Sequence, residues 1–236
     1  MYSPIHPVVG IQAFNEVMVP DTTQRWTPGM IMDAVDPYFG YGRFVYLQSS
    51  GAVAPGRLQM VNDQTLITAD LPNTANTGFP IVVARQNFSA INQWGWWQLE
   101  GVCPLQAQAS VAAGAQIGIG AAGQVGAVSA GKMIMNARVL QPSTFTLTKS
   151  NGVIVQNADN RLFLSNTAGL FYGLAVTGSI TGIGGGSTVN GIDPSGRFIT
   201  LSANTVAVVT IPTVTFTYTG FVLAYLQNAF VEGQIT

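Results

Sequence analysis

His6 is the only histidine and Cys103 the only cysteine in 236 residues, so general-base and thiol chemistry have one possible carrier each. A single cysteine excludes an internal disulfide and argues against a thiolate metal site. His6 stands between Pro4 and Pro7, where a contact role fits better than proton transfer; a Ser-His-Asp or Cys-His arrangement would need the imidazole in a cleft. The ten carboxylates are scattered. Asp33 and Asp36 are the closest pair, and Asp36 precedes Pro37, which reads as a turn and not as a metal site. Gly118-Ile119-Gly120-Ala121-Ala122-Gly123 matches the dinucleotide fingerprint in spacing, but that motif works where a strand feeds a helix N-terminus with an acidic residue about 20 positions on. Here more glycine follows, and Val139, Leu140 and Gln141 stand at that distance. Gly126 to Lys132 imitates a phosphate loop, yet Met133 replaces the hydroxyl residue that would hold magnesium. Glu100, inside a Trp-rich stretch, reads either as the polar face of a strand or as an ion pair with Arg85 or Arg138, within or between subunits. These residues name no catalytic residue, no cofactor and no metal, and the chain is read as a non-enzyme.

The elements that would position such residues are strands. Three of the four tryptophans fall in Ile91 to Pro104, and from Trp97 onward large apolar residues alternate with polar or small ones at a period of two. The expectation is a strand with one heavily packed face, cut at both ends by Gly95 and Gly101, glycines that let the backbone bend or approach another backbone closely. Arg43 to Gln48 is aromatic and β-branched and favours strand; Ile81 to Ala84 reads as a short buried strand. Ala107 to Ala130 is rich in alanine, but each of its glycines would cost about 1 kcal/mol in a helix interior. It reads as short strands joined by glycine turns, with one helical turn around Val111 to Ala113, closed by a strand from Met133 to Leu140. Cys103 is expected as a small core residue.

Beyond Gln141-Pro142-Ser143 threonine becomes frequent, and strands recur at about 8 to 12 residues, the rhythm of a sandwich. They are expected at 145–148, 153–156, 161–164, 173–176, 188–192, 198–202, 206–211 and 213–218, with turns at Asn151-Gly152 and Asp193-Pro194-Ser195-Gly196. Phe221 to Leu226 returns to the aromatic style of the first block. The expected layout is an extended N-terminal arm over 1–38, a β-domain over 39–149 completed by 221–236, and an inserted β-domain over 150–220. The arm's prolines favour an extended path that gains stability by lying on something, and Tyr2, Ile5, His6, Val8, Ile11 and Phe14 are its candidate partner contacts.

Only 8% of residues are charged and 47% are apolar, with a net charge of -1. This balance opposes disorder and offers no electrostatic footprint for nucleic acid or an anionic bilayer. No apolar run is long enough to span a membrane, and the first residues lack a secretion-signal plan, so synthesis in a cytoplasm is expected. A surface poor in Lys and Glu is weakly protected against association, so much of it is expected to be covered by a partner.

Gly42 to Leu47, Ile81 to Ala84, Trp94 to Val102, Ala112 to Ala115 and Gly123 to Val125, in that succession, resemble the capsid decoration (cement) proteins of tailed bacteriophages. In that family a strand of the type GWVQLEGV is followed by AAGA and AGRV. Residues 173–180, 188–193 and 199–204 are similar to a β-module of many phage structural proteins. The resemblance spans residues 40 to 226. It implies a small β-barrel or β-tulip domain, here with an inserted β-sandwich-like domain. It also implies a homotrimer on the virion exterior, bound to the major capsid protein and bridging neighbouring capsomers. An alternative from the residues is a virion-surface glycan-binding adhesive module, in which exposed Trp26, Trp94 or Tyr172 stack on sugar rings; Trp94, Trp96 and Trp97 exposed together in one groove would mark it.

Overall fold

A computed structural model describes residues 3–4, 20–36, 38–108, 111–121, 123–142, 144–154, 158–177, 182–193 and 195–233. The arm contacts expected at Tyr2, Ile5, His6, Val8, Ile11 and Phe14 lie outside the described residues. The protein is all-β, and it folds as two compact units, Thr144–Thr219 and the remainder, Tyr2–Ser143 with Gly220–Thr236.

The larger unit comprises β1 (Ser3–Pro4), β2 (Ile31–Asp36), β3 (Gly40–Ser49), β4 (Leu58–Asn62), β5 (Ile67–Asp70), β6 (Ile81–Ala84), β7 (Trp94–Gln106), β8 (Gln116–Ile119), β9 (Val125–Gly126) and β10 (Met133–Gln141), with β17 (Phe221–Val231) at the end of the chain. The intervening β11 (Thr144–Ile154), β12 (Arg161–Phe163), β13 (Ala175–Thr177), β14 (Val189–Ile192), β15 (Phe198–Leu201) and β16 (Val209–Thr219) form the smaller unit. No helix occurs among the described residues. The helical turn expected at Val111 to Ala113 is absent because the chain beside it is drawn onto β10: Gly114 N–H donates to Val139 O at 2.8 Å, and Val139 N–H donates to Ala115 O at 3.0 Å.

In the larger unit the mixed sheet runs β1-β2-β3-β5-β4-β6-β7-β17-β10-β8-β9, eleven strands, or ten without the two-residue β1. An extra pairing of β3 with β7 closes a hydrogen-bonded ring, β3-β5-β4-β6-β7. Its one parallel step is short, Gln48 opposite Ile67 and Ser49 opposite Thr68. One face of the ring strands gathers Val45, Leu47, Val61, Val82, Ala84 and Trp97 with Val53 and Phe88. Opposite faces of β4, β6 and β7 join β8, β10 and β17 in a second cluster that includes Leu58, Val83, Cys103, Leu105, Ile117, Ile134 and Val222.

The Trp segment departs from expectation in two respects. It is packed on both faces: Trp97 joins its ladder neighbours Val45 and Ala84 in one cluster, and Trp96, on the other face, meets the Tyr46 ring edge-on at 5.3 Å. Trp96 and Trp97 are both fully buried, and strand geometry sends neighbouring side chains to opposite faces. The strand also runs through both glycines. A methyl group on Gly95 would overlap the Gln86 side chain, and one on Gly101 would overlap the Tyr41 carbonyl. Gly101 has φ +100, a conformation L side chains rarely adopt. These glycines therefore allow close approach without ending the strand.

The smaller unit is a curled antiparallel sheet ordered β13-β16-β11-β12-β15-β14. Its backbone is the β11–β16 ladder, in register from Thr144 opposite Thr219 to Ile154 opposite Val209. Two expected breaks are continuous strand instead. Asn151-Gly152 lies inside β11, where Gly152 leaves room for Ile211 and Val214 to pack against it. Pro212 lies inside β16, beyond the stretch paired with β13, which ends at Thr215; there its missing N–H breaks no β13–β16 bond. The turn expected at 193–196 is present, with Gly196 N–H donating to Asp193 O at 2.9 Å.

Candidate functional site

The face shared by β2, β3, β7, β17 and β10 gathers exposed aromatic and charged side chains. Register sets a polar row across it: Asp33 opposite Arg43, Arg43 opposite Glu100, Glu100 opposite Gln227. Arg43 Nε donates to Asp33 Oδ1 at 2.9 Å, and its Nη1 lies 3.7 Å from Glu100 Oε2. Tyr41 Oη donates to Asp33 Oδ1 at 2.7 Å, and Asn228 Nδ2 donates to Glu100 Oε1. A second row runs Val102, Tyr225, Arg138. Around these stand the exposed apolar side chains Ile31, Val35 and Tyr41.

Of the two readings of Glu100 the ion pair is present, but with a different partner: it is Arg43 within the chain, since β3 and not β6 or β10 places an arginine directly opposite. Arg85 is buried, donates through Nη1 to Gln98 Oε1 at 3.1 Å, and sits 4.8 Å from the Phe39 ring centroid. Arg138 lies 5.8 Å from the Tyr225 centroid. Asp33, expected in a turn with Asp36, is instead an interior residue of β2 held by Arg43. Sequence reading missed Asp33–Arg43, Tyr41 and Tyr225; the period-two spacing of Ile31, Asp33 and Val35 was the available signal.

No family model, curated protein or solved structure matches the chain.

Other motifs resolve into packing. Gly118 lies in β8, where an added methyl group would overlap the Ala127 carbonyl, so its spacing serves close strand approach. Lys132 donates to Asn73 Oδ1 at 2.9 Å. Burial pushes the Cys103 thiol up to about 12, so thiolate chemistry is suppressed. On the outer side of β3, Tyr46 stacks on Trp94 at 5.9 Å, meets Trp96 edge-on at 5.3 Å and donates through Oη to Asp21 Oδ2 at 3.4 Å. Burial raises the Asp21 carboxyl above its ordinary range, opposed by Arg25 and Tyr46. Among the described residues no three His, Cys, Asp or Glu side chains gather to hold a metal, and no helix is long and apolar enough to cross a membrane. The five-strand face is built for contact: Asp33, Arg43 and Glu100 are paired across strands, and its exposed rings offer area.

Proposed function

We propose that this chain is a structural, non-enzymatic virion protein that binds the outer surface of a phage capsid and bridges neighbouring capsomers. Its partners are the major capsid protein and further copies of itself in a trimer, with no cofactor, nucleic acid or membrane required. In this reading the chain is made in the host cytoplasm and resides on the virion exterior. The observation that carries it is the face of β2, β3, β7, β17 and β10, where Asp33, Arg43 and Glu100 neutralise one another beside exposed Ile31, Val35 and Tyr41. Charges already partnered lose less on desolvation than lone ones would. The resemblance of the Trp segment and its flanking motifs to decoration proteins adds the capsid as partner.

We further read the β3-β5-β4-β6-β7 ring as the small barrel, or tulip, of that family, with 39–149 and 221–236 as its domain. Residues 150–220 are then the inserted sandwich-like β-domain, and residues 1–38 the arm. A ligand that binds only the assembled lattice stabilises it by mass action, and repeated contacts multiply the effect. The groove that would support the glycan-adhesive alternative, with Trp94, Trp96 and Trp97 exposed together, is not formed, since Trp96 and Trp97 are fully buried on opposite faces of β7 while Trp26 and Trp94 are half-buried.

The test adds purified chain to capsids that lack it and images them by electron cryomicroscopy, with light scattering of the free protein. Saturable density on the outer surface and a mass of three chains are expected. Bare shells at saturating protein refute the docking role, and a monomer in solution and on the shell refutes the trimer.

A further inference from the structure

We propose that the cleft beside Arg138 is a carboxylate-binding site that takes an acidic peptide segment of a partner protein. The cleft has a volume of about 410 Å³ and is lined by Asn136, Ala137, Arg138, Tyr225 and Gln227. It exists because the β10–β17 ladder is interrupted there. Met135 is opposite Phe230, but the next pair is Ala137 with Leu226, so three residues of β17 face the single Asn136. Asn136 at φ 57 and Asn228 at φ 46 both take the left-handed conformation that lets the strands part. Bulges of this kind re-aim side chains next to functional sites.

The chemistry of the lining selects the ligand. Arg138 is exposed and lies with its guanidinium 5.8 Å from the Tyr225 centroid, an arrangement that holds a cation in place while leaving its N–H edge free. Among the described residues of this unit the ion pairs, Asp21 with Arg25 and Arg43 with Asp33 and Glu100, leave Arg138 out. Glu100, on the neighbouring strand β7, is committed to Arg43 and Asn228. A planar guanidinium without a carboxylate partner is matched by a carboxylate accepting two parallel hydrogen bonds. Asn136 and Gln227 each add an amide donor and acceptor, suited to the main chain of an extended peptide. A sugar is the poorer occupant, because Arg138 already covers a face of the ring on which it would stack. This inference rests on the docking role proposed above and names the chemistry of one of its contacts.

The test uses the full chain and fluorescein-labelled N-acetyl-hexaglutamate, with hexaglutamine as the neutral probe and free glucuronate as competitor, read by fluorescence polarisation. Hexaglutamate binding that weakens with salt is expected, at least tenfold weaker in Arg138→Gln and unchanged in Arg57→Gln, which removes the same charge outside the cleft. Both variants should retain native tryptophan fluorescence; if Arg138→Gln does not, Arg138→Lys replaces it, since an ammonium cannot reproduce the bidentate pair and should also weaken binding. Equal loss in the Arg138 and Arg57 variants, or no binding, overturns the site. Glucuronate displacing the peptide at equal or lower concentration overturns the peptide assignment. Capsid docking is measured on the same proteins: wild type failing to dock while still binding hexaglutamate sinks the docking reading and leaves the site, whereas undiminished docking by Arg138→Gln removes the cleft from that contact.

Discussion

The two units reach a β-core by different means. In the larger one, β7 threads between β3 and β6 with Trp96 and Trp97 on opposite faces, which is possible only because Gly95 and Gly101 admit a neighbouring side chain or carbonyl where a side chain of their own would stand. In the smaller one, a long ladder between β11 and β16 carries alternating threonines outward and Val214, Phe216 and Tyr218 inward, so ordinary antiparallel pairing does most of the work. Backbone approach limits the first unit and side-chain volume the second. A methyl group at Gly101, with its left-handed φ and the Tyr41 carbonyl in the way, should therefore be ruinous, whereas one at Gly185, with nothing near it, should be tolerable.

The largest expected effect tests that contrast directly. Gly101→Ala combines a left-handed φ with overlap on the Tyr41 carbonyl and should cost about 3 kcal/mol or more, whereas Gly185→Ala, with open space around it, should stay within about 0.5 kcal/mol. Urea unfolding measures both. All four tryptophans, at 26, 94, 96 and 97, lie in the larger unit, so their fluorescence follows that unit, while circular dichroism follows both. Equal effects would end the comparison. Truncation of large side chains should treat the units alike: Trp97→Ala and Phe216→Ala, both fully buried, should each cost about 3–5 kcal/mol. A Phe216→Ala loss below about 1 kcal/mol would show that the ladder alone sustains the smaller unit.

Much of this was legible, and the failures share a cause. Period-two alternation identified the Trp strand, aromatic and β-branched content the strand at 43–48, and regular turn spacing the strand at 198–202, while the glycines of 114–126 correctly argued against helix. What alternation cannot show is how many neighbours a strand has. It made β7 one-faced, although Trp96 is buried against Tyr46 on the face opposite Trp97. Turn chemistry was over-read for the same reason: Gly95, Gly101 and Asn151-Gly152 look like stops but are places where another element comes close. For Glu100 an ion pair was one of two open readings, and its partner depended on the β3–β7 register, which puts Arg43 opposite it and leaves Arg138 two strands away across β17. Arg138 and Tyr225 are 87 residues apart in sequence and meet only through that sheet order.

A smaller effect comes from the buried ammonium of the smaller unit. Lys149 donates to Asn166 Oδ1 at 2.7 Å and to Ala168 O at 2.6 Å, and burial lowers its pKa below the ordinary 10.5. Lys149→Met should destabilise by about 1–2 kcal/mol at neutral pH, the loss of two charge-assisted hydrogen bonds partly offset by relief of desolvation. Because the unfolded chain binds the proton more tightly than the folded one, wild-type stability rises with pH between the lowered value and 10.5. The gap to Lys149→Met should widen from pH 8 to pH 10.5 in urea titrations; a constant gap would mean the ammonium is not desolvated.

The smallest expected effect is its mirror image in the larger unit. Asp21 sits under Tyr46 with Arg25 Nε 2.8 Å from its carboxylate, yet burial outweighs both partners and raises its pKa. Here the folded state holds the proton more tightly than the unfolded chain. The associated stability is present in acid and lost as pH rises through the raised pKa. Asp21→Asn keeps the shape and removes the titration, so it should lie within about 1 kcal/mol of wild type at pH 7, with wild type gaining on it as pH falls toward the ordinary carboxylate value of 3.8. Tryptophan fluorescence reads this at the site itself, since Asp21 exchanges main-chain hydrogen bonds with Trp94 at 2.7 and 2.8 Å. Wild type losing ground to Asp21→Asn in acid would reverse the sign and show that the Arg25 pair, not burial, sets the carboxyl.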